Sequence, residues 1–188
     1  MSIGRTLVRA TIGALFVGHG TQKLFGWFGG SGPQQTGEFF EKLELCPGKR
    51  HAIAAGAAEA VGGAMLAAGL LTPVATTMLS SVMITAIRKV HAEKGVWNTD
   101  GGFEYNAVLL ATLFSLAEQG PGKYSVDAAA FPRLRGPRLA VAQLVGALAG
   151  SELVTSELVT EPAEELEAGP GDITGDGIPT RERVPVAA

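Results

Sequence analysis

At 188 residues, 46% hydrophobic and only 18% charged, with a mean hydropathy of +0.24, the chain is apolar for a soluble protein and ordinary for a short polytopic one. Its net charge of −3 hides an asymmetry, because residues 1–150 carry +4 and residues 151–188 carry −7. Nothing in that balance suggests a nucleic-acid surface, and the single cysteine, Cys46, excludes an intramolecular disulfide, a C-x-x-C pair and a thiolate cluster for zinc or iron–sulfur.

Ile3 to about Thr21 reads as a first span, apolar at Leu7, Val8, Ile12, Leu15, Phe16 and Val17. A signal peptide fits poorly, since Arg9 and His19 interrupt the run and no small-residue cleavage site follows. Arg5 and Arg9 share one face, where long side chains can snorkel to lipid headgroups. Trp27 and Phe28, set among glycines, suit a membrane interface. After Pro33, Thr36 to Leu45 alternates phenylalanines and leucines with charges and predicts a short amphipathic helix on the surface or re-entering.

Ala52 to Leu71 is the stretch on which the function turns. It holds small and aliphatic residues around a single acid, Glu59, and a helix of that length covers roughly 30 Å, the thickness of a hydrocarbon core. An ionisable group at mid-depth costs about 2.5–3.5 kcal/mol on insertion scales, so it faces a bundle interior and finds a partner. Ala55, Glu59, Gly63 and Ala67 recur at steps of four. Leu71-Thr72-Pro73 predicts a tight turn with Thr72 as N-cap. The third span runs from Pro73 to about Val90 and the fourth from about Glu104 to Ala117, joined by a glycine-rich connection containing Trp97. Leu139 to Gly150 is too short for a confident span and reads as an interfacial or packing helix. From residue 151 the composition predicts a disordered acidic tail, and 172–183 fails as a calcium loop because Arg183 stands where a bidentate Glu belongs.

Four alternating spans bring the end of the first, the start of the second, the end of the third and the start of the fourth to one side. His19, Gln22, Lys23, His91, Trp97, Glu104, Tyr105 and Asn106 gather there, with Glu59 about 10 Å deeper by helix rise. An imidazole exchanges protons near neutral pH and a carboxylate in apolar surroundings titrates closer to that range, so His19 and Glu59 form a candidate proton relay. The remaining groups of the mouth are candidate substrate-binding residues. The competing reading is that these side chains merely satisfy one another and fix helix register. His19 and His91 without a supporting pattern do not make a haem site, and no metal site is expected. Counting lysines and arginines does not decide orientation, although the undiluted Arg133, Arg135 and Arg138 lean toward both termini inside.

The motifs His19-Gly-Thr-Gln-Lys-Leu-Phe-Gly-Trp-Phe-Gly-Gly30, Glu59-Ala-Val-Gly-Gly63, Gly69-Leu-Leu-Thr-Pro73, Gly101-Gly-Phe-Glu-Tyr-Asn106 and Gly120-Pro-Gly-Lys-Tyr-Ser-Val-Asp127, in that order, resemble the DoxX family of small membrane proteins. The resemblance implies a four-helix membrane protein, described in the family as an oxidoreductase or the small subunit of a quinone-reducing complex, with some relatives linked to oxidative-stress assemblies and sulfur-handling partners. It carries no established catalytic residues.

The expectation is an all-α, integral membrane four-helix bundle with an amphipathic helix in its first long loop, in three parts. These are a transmembrane domain over 1–131, a basic linker and short helix over 132–150, and a disordered tail over 151–188. Its expected place is the plasma or inner membrane, its partners the lipid bilayer, redox proteins and further copies of itself. A quinone or a small reductant is the candidate ligand of the mouth, and no flavin, nicotinamide or iron–sulfur motif is present, so electrons are expected from a partner or a substrate. A non-catalytic scaffold recruiting soluble partners and a small-solute carrier are the alternatives.

Overall fold

The computed structural model describes residues 3–156, helical in character with no strand among the described residues. The helices are α1 (Ile3–Phe25), α2 (Gly32–Glu41), α3 (Gly48–Ala68), α4 (Thr72–Ala86), α5 (Glu104–Gln119), α6 (Val126–Ala130) and α7 (Pro137–Thr155). Most of the acidic tail, including the 172–183 stretch, lies outside the described residues.

Glycines decide how α1 meets α3. A Cβ on Gly13 would lie 2.5 Å from the Gly63 carbonyl, and one on Gly20 would collide with the Ala60 amide and lie 2.6 Å from the Gly56 carbonyl. The antiparallel helices therefore touch backbone to backbone, the small-residue packing that membrane helices favour. The stripe at Ala55, Glu59, Gly63 and Ala67 is not one uniform face. Steps of four drift around a helix of 3.6 residues per turn, so Gly63 and Ala67 meet α1 while Ala55 and Glu59 face a cavity.

One end of the bundle is closed by charges that cap helix termini. Arg9 is buried and donates to the Leu66 and Ala67 carbonyls of α3 at 3.3 and 2.6 Å, and to the Tyr124 carbonyl at 2.5 Å. Arg5 donates to the Gln119 carbonyl of α5 at 2.8 Å. Cations on C-terminal carbonyls complement the helix dipole. The headgroup-seeking role expected of this pair is thus corrected for Arg9, whose guanidinium turns inward. Gly69, in the left-handed conformation, ends α3, and the Gly69 and Leu70 amides return to Leu66 and Met65.

The start of α4 also departs from expectation. Thr72 is not the N-cap; Leu71 takes that position at φ 45°, and the cap comes from a distant helix. Asp127 of α6, buried, accepts from the Leu71 and Thr72 amides at 2.7 and 2.8 Å and from the Thr72 hydroxyl at 2.6 Å. A carboxylate beside free amides meets the positive end of the dipole, which gives the Leu-Leu-Thr-Pro and Ser-Val-Asp motifs one shared structural reason.

Helix α4 occupies the middle, against α3, α5 and α7. Its buried face includes Thr72, Thr76 and Ser80, and Gln143 of α7 donates to the Ser80 hydroxyl at 2.7 Å and to the Thr76 carbonyl at 3.2 Å. Further along, Thr85 meets Ser151 at 3.0 Å and Arg88 meets Glu152 at 2.8 Å. Both sequences ascend together, so α7 runs parallel to α4. The short segment expected over 139–150 is in fact a 19-residue helix, because the run Ser151-Glu-Leu-Val-Thr155 continues its turns beyond Gly150. Phe16, Leu66, Leu79 and Leu113 form the centre of the apolar core.

Several helices differ from their expected boundaries, chiefly where polar residues extend a helix past its apolar stretch. Helix α1 continues to Phe25 and takes in Lys23, and α3 begins at Gly48 rather than Ala52 and takes in His51. The amphipathic helix begins at Gly32 and ends at Glu41. It is packed on α3, where a Cβ on Gly37 would lie 2.7 Å from the Lys49 amide. By length and composition one helix among the described residues, Gly48–Ala68, is long and apolar enough to cross a membrane. Helices α4 and α5, at 15 and 16 residues, fall short of that ruler, and α1 is diluted by Arg5, Arg9 and Lys23.

Two glycines of α1 separate packing from propensity. Gly20→Ala drives a methyl group into α3 and is expected to lower the thermal unfolding midpoint in detergent, at a cost of about 1–3 kcal/mol. At Gly18 a methyl group would meet no neighbouring helix within 4 Å, and Ala should be tolerated with a gain of about 0.5–1 kcal/mol. Equal midpoints for the two variants would remove the close α1–α3 approach.

Candidate functional site

The open half of the bundle contains a cavity of about 680 Å³ bounded by parts of α1, α2, α3, α4, α5 and α7. Its floor on α3 is set by helical period: His51, Ala54, Ala55, Ala58 and Glu59 fall at i, i+3, i+4, i+7 and i+8 and all line it. Alanines every turn leave a smooth strip between two polar positions, about 12 Å apart by helix rise. Phe39 and Phe40 of α2 and Gly146 and Gly150 of α7 supply further wall. The α7 glycines permit close approach, since Cβ atoms there would sit 3.2 Å from Thr77 and 2.8 Å from the Ser81 hydroxyl.

Glu59 is 3% exposed and pairs with Lys23, Nζ to Oε2 at 2.6 Å. Helix α1 makes this contact by staying helical through Lys23, beyond the end expected near Thr21. Glu59 has left water while the Lys23 side chain keeps 23% of its surface exposed, so removing the lysine strands the buried carboxylate. The chemical capacity of the pair is a proton donor and acceptor within one hydrogen bond, on the wall of an apolar chamber.

The groups expected at the mouth separate into two sets. His19, Lys23, Glu59, His91, Tyr105 and Asn106 border the cavity, whereas Gln22, Trp97 and Glu104 do not. His19 is exposed, with Nδ1 3.2 Å from Gln22 Oε1, so the carboxylate is met by Lys23 and the imidazole stands at the rim. Gln22 reaches the Phe28 carbonyl at 3.4 Å. His91, in a π-helical turn at Ile87–His91 that follows α4, donates Nδ1–H to the Gly101 carbonyl at 2.6 Å. The buried Asn106 amide lies 3.4 Å from Met83 Sδ. Trp97 is 66% exposed, outside the chamber. Rim ion pairs, Lys89–Glu44 at 3.6 Å and Arg88–Glu152 at 2.8 Å, are largely exposed and contribute little to stability.

Sequence reasoning missed His51, Phe39, Phe40 and the α7 glycines as wall residues. For His51 the signal was present: counting back from Glu59 and Ala55 by one further turn reaches it. Gly146 and Gly150 are likewise a small-xxx-small pair. Cys46 is buried, and burial pushes its thiol up with Glu41 and Glu44 adding to the effect, so it stays protonated at neutral pH. Among the described residues no three His, Cys, Asp or Glu side chains converge on a metal position.

The pairing predicts a double-mutant cycle. Lys23→Met leaves the carboxylate buried alone and should destabilise by about 3 kcal/mol, and adding Glu59→Leu should recover most of that loss in detergent unfolding. Strict additivity of the two substitutions would rule out the coupling.

Compared with known families, residues 4–92 match the family model DoxX, a match that ends beside His91 and leaves α5 to α7 outside it. No curated protein and no solved structure matches the chain.

Proposed function

We propose, for a chain that carries a DoxX-family domain over residues 4–92, a multi-pass protein of the plasma or inner membrane that serves a redox complex by binding a quinone-type molecule in its cavity. Membrane association follows from the family. The multi-pass reading draws on the distribution of apolar side chains: Leu7, Val61, Val108, Val145 and Leu148 stand on outer faces of four helices, while hydroxyls and Gln143 are buried against α4. Polar groups inside and large aliphatics outside suit lipid better than water. On this reading α7 crosses with α4, which gives five crossings and puts residues 4 and 156 on opposite faces, in place of the shared face that four spans require.

One observation carries the redox reading: an apolar chamber of about 680 Å³ with a buried carboxylate, paired to a partly exposed lysine, in its wall. Reducing a quinone to its hydroquinone takes two electrons and two protons. The electrons come from a partner protein or a small reductant, because the sequence holds no motif for a redox cofactor. Protons enter by His19 at the rim and reach the ligand through Lys23 and Glu59, so the relay has a lysine between the imidazole and the carboxylate. The anchor reading draws on the same pair, since a carboxylate fully engaged with lysine also locks α1 onto α3 without chemistry.

Two measurements test these readings. In vesicles from expressing cells, Glu59→Gln should lower quinone reduction about a hundredfold at matched protein level; unchanged reduction leaves the anchor. In a Cys46→Ser background, Gly4→Cys and Ser156→Cys should react with an impermeant maleimide from opposite faces of sealed vesicles, and labelling from the same face would remove the fifth crossing.

A further inference from the structure

The closed end of the bundle carries a second recess, of about 290 Å³, that the cavity reading does not use. Three cations from three separate segments border it: Arg5 near the start of α1, Lys123 in the turn after α5, and Arg135 in the link between α6 and α7. Gly120 brings two of them together. Its carbonyl accepts from Arg5 Nη1 at 3.3 Å, and a Cβ on Gly120 would stand 3.0 Å from Arg135 Cδ, in a backbone conformation, φ 78°, that favours glycine.

Like charges gathered in one recess repel, and the repulsion is relieved by a carboxylate of the protein or by an anion from outside. The protein's own carboxylates are placed elsewhere. Asp127 in the wall is buried and already accepts three hydrogen bonds from Leu71 and Thr72 at the start of α4, and Glu118 on α5 does not border the recess. Among the described residues none of the three cations forms an ion pair; Lys123 meets the Tyr124 ring, with Nζ 6.0 Å from its centroid. Helix α7 then carries the chain from this end to the other, roughly 28 Å away by helix rise, before the acidic stretch beyond residue 156 begins.

We propose that Arg5, Lys123 and Arg135 hold a phosphate group in this recess. Guanidinium groups present paired N–H donors that match phosphate oxygens, and a flexible ammonium adds a third point of positive charge. Phe131 and Leu134 give the recess an apolar lip beside those cations, and basic pockets at the ends of membrane helices take anionic headgroups. Two sources offer the group: an anionic phospholipid, whose glycerol and acyl portion would lie on that lip, and a soluble phosphate ester. The inference goes beyond the cavity reading, and its failure leaves that reading as it stands.

The test titrates the full chain in dodecyl maltoside, at constant ionic strength, with phosphatidylglycerol, phosphatidylcholine and glycerol phosphate, and reads the half-saturating concentration from the thermal unfolding midpoint. Phosphatidylglycerol binding about tenfold more tightly than phosphatidylcholine, with no response to glycerol phosphate, identifies the lipid as the source. A response to glycerol phosphate identifies the soluble ester. Arg135→Gln and Lys123→Gln change exposed side chains and should each weaken binding about tenfold, whereas Arg138→Gln, which removes the same charge from outside the recess, should leave it unchanged. An equal loss with Arg138→Gln makes the attraction a diffuse one and overturns the site. So does the absence of both a preference for phosphatidylglycerol and a response to glycerol phosphate.

Discussion

Helices α1 and α3 approach so closely at Gly13–Gly63 and Gly20–Gly56 that no side chain fits between them. That approach lets the Lys23 side chain reach Glu59 at 2.6 Å, and it fixes which half of α3 faces α1 and which half faces open space. Dispersion between backbones supplies the attraction, and it fades steeply with any added spacing. The chamber is the counterpart of the contact. Where α3 has Gly56 and Gly63 toward α1 it has His51, Ala55 and Glu59 toward the cavity, so one helix both seals and lines.

The two ends of the bundle use charge differently. At the closed end Arg9 answers the end of α3, Arg5 the end of α5 and Asp127 the start of α4. At the open end the charges pair across helices, as Lys23 does with Glu59. The cavity lies in that second half.

Much of this is readable from the sequence, and the failures share a cause. Apolar periodicity locates the long helices, and the lone acid at residue 59 implies a partner, found in Lys23, because an ionisable group in an apolar run has few other ways to exist. Which partner depends on whether α1 stays helical for four residues beyond Thr21, and hydropathy is silent once a helix carries Gln22 and Lys23. The same blindness hides His51, which follows Lys49 and Arg50 and so falls before the apolar stretch begins. Arg9 points to the headgroups on paper because a sequence does not reveal that the α3 carbonyls end beside it. Asp127 as a cap fifty-five residues from Thr72 is a tertiary fact, visible in neither segment alone.

The parallel course of α4 and α7 has a consequence for how the protein is made. Thr76 and Ser80 find their partner in Gln143, more than sixty residues later in the chain. While the ribosome is still building the link between α5 and α7, α4 has nothing from α7 against that face, and its hydroxyls can only turn back on their own turns. A nascent chain stopped before residue 137 is therefore a precursor with an unfinished side, its α4 face still lacking the helix that covers it.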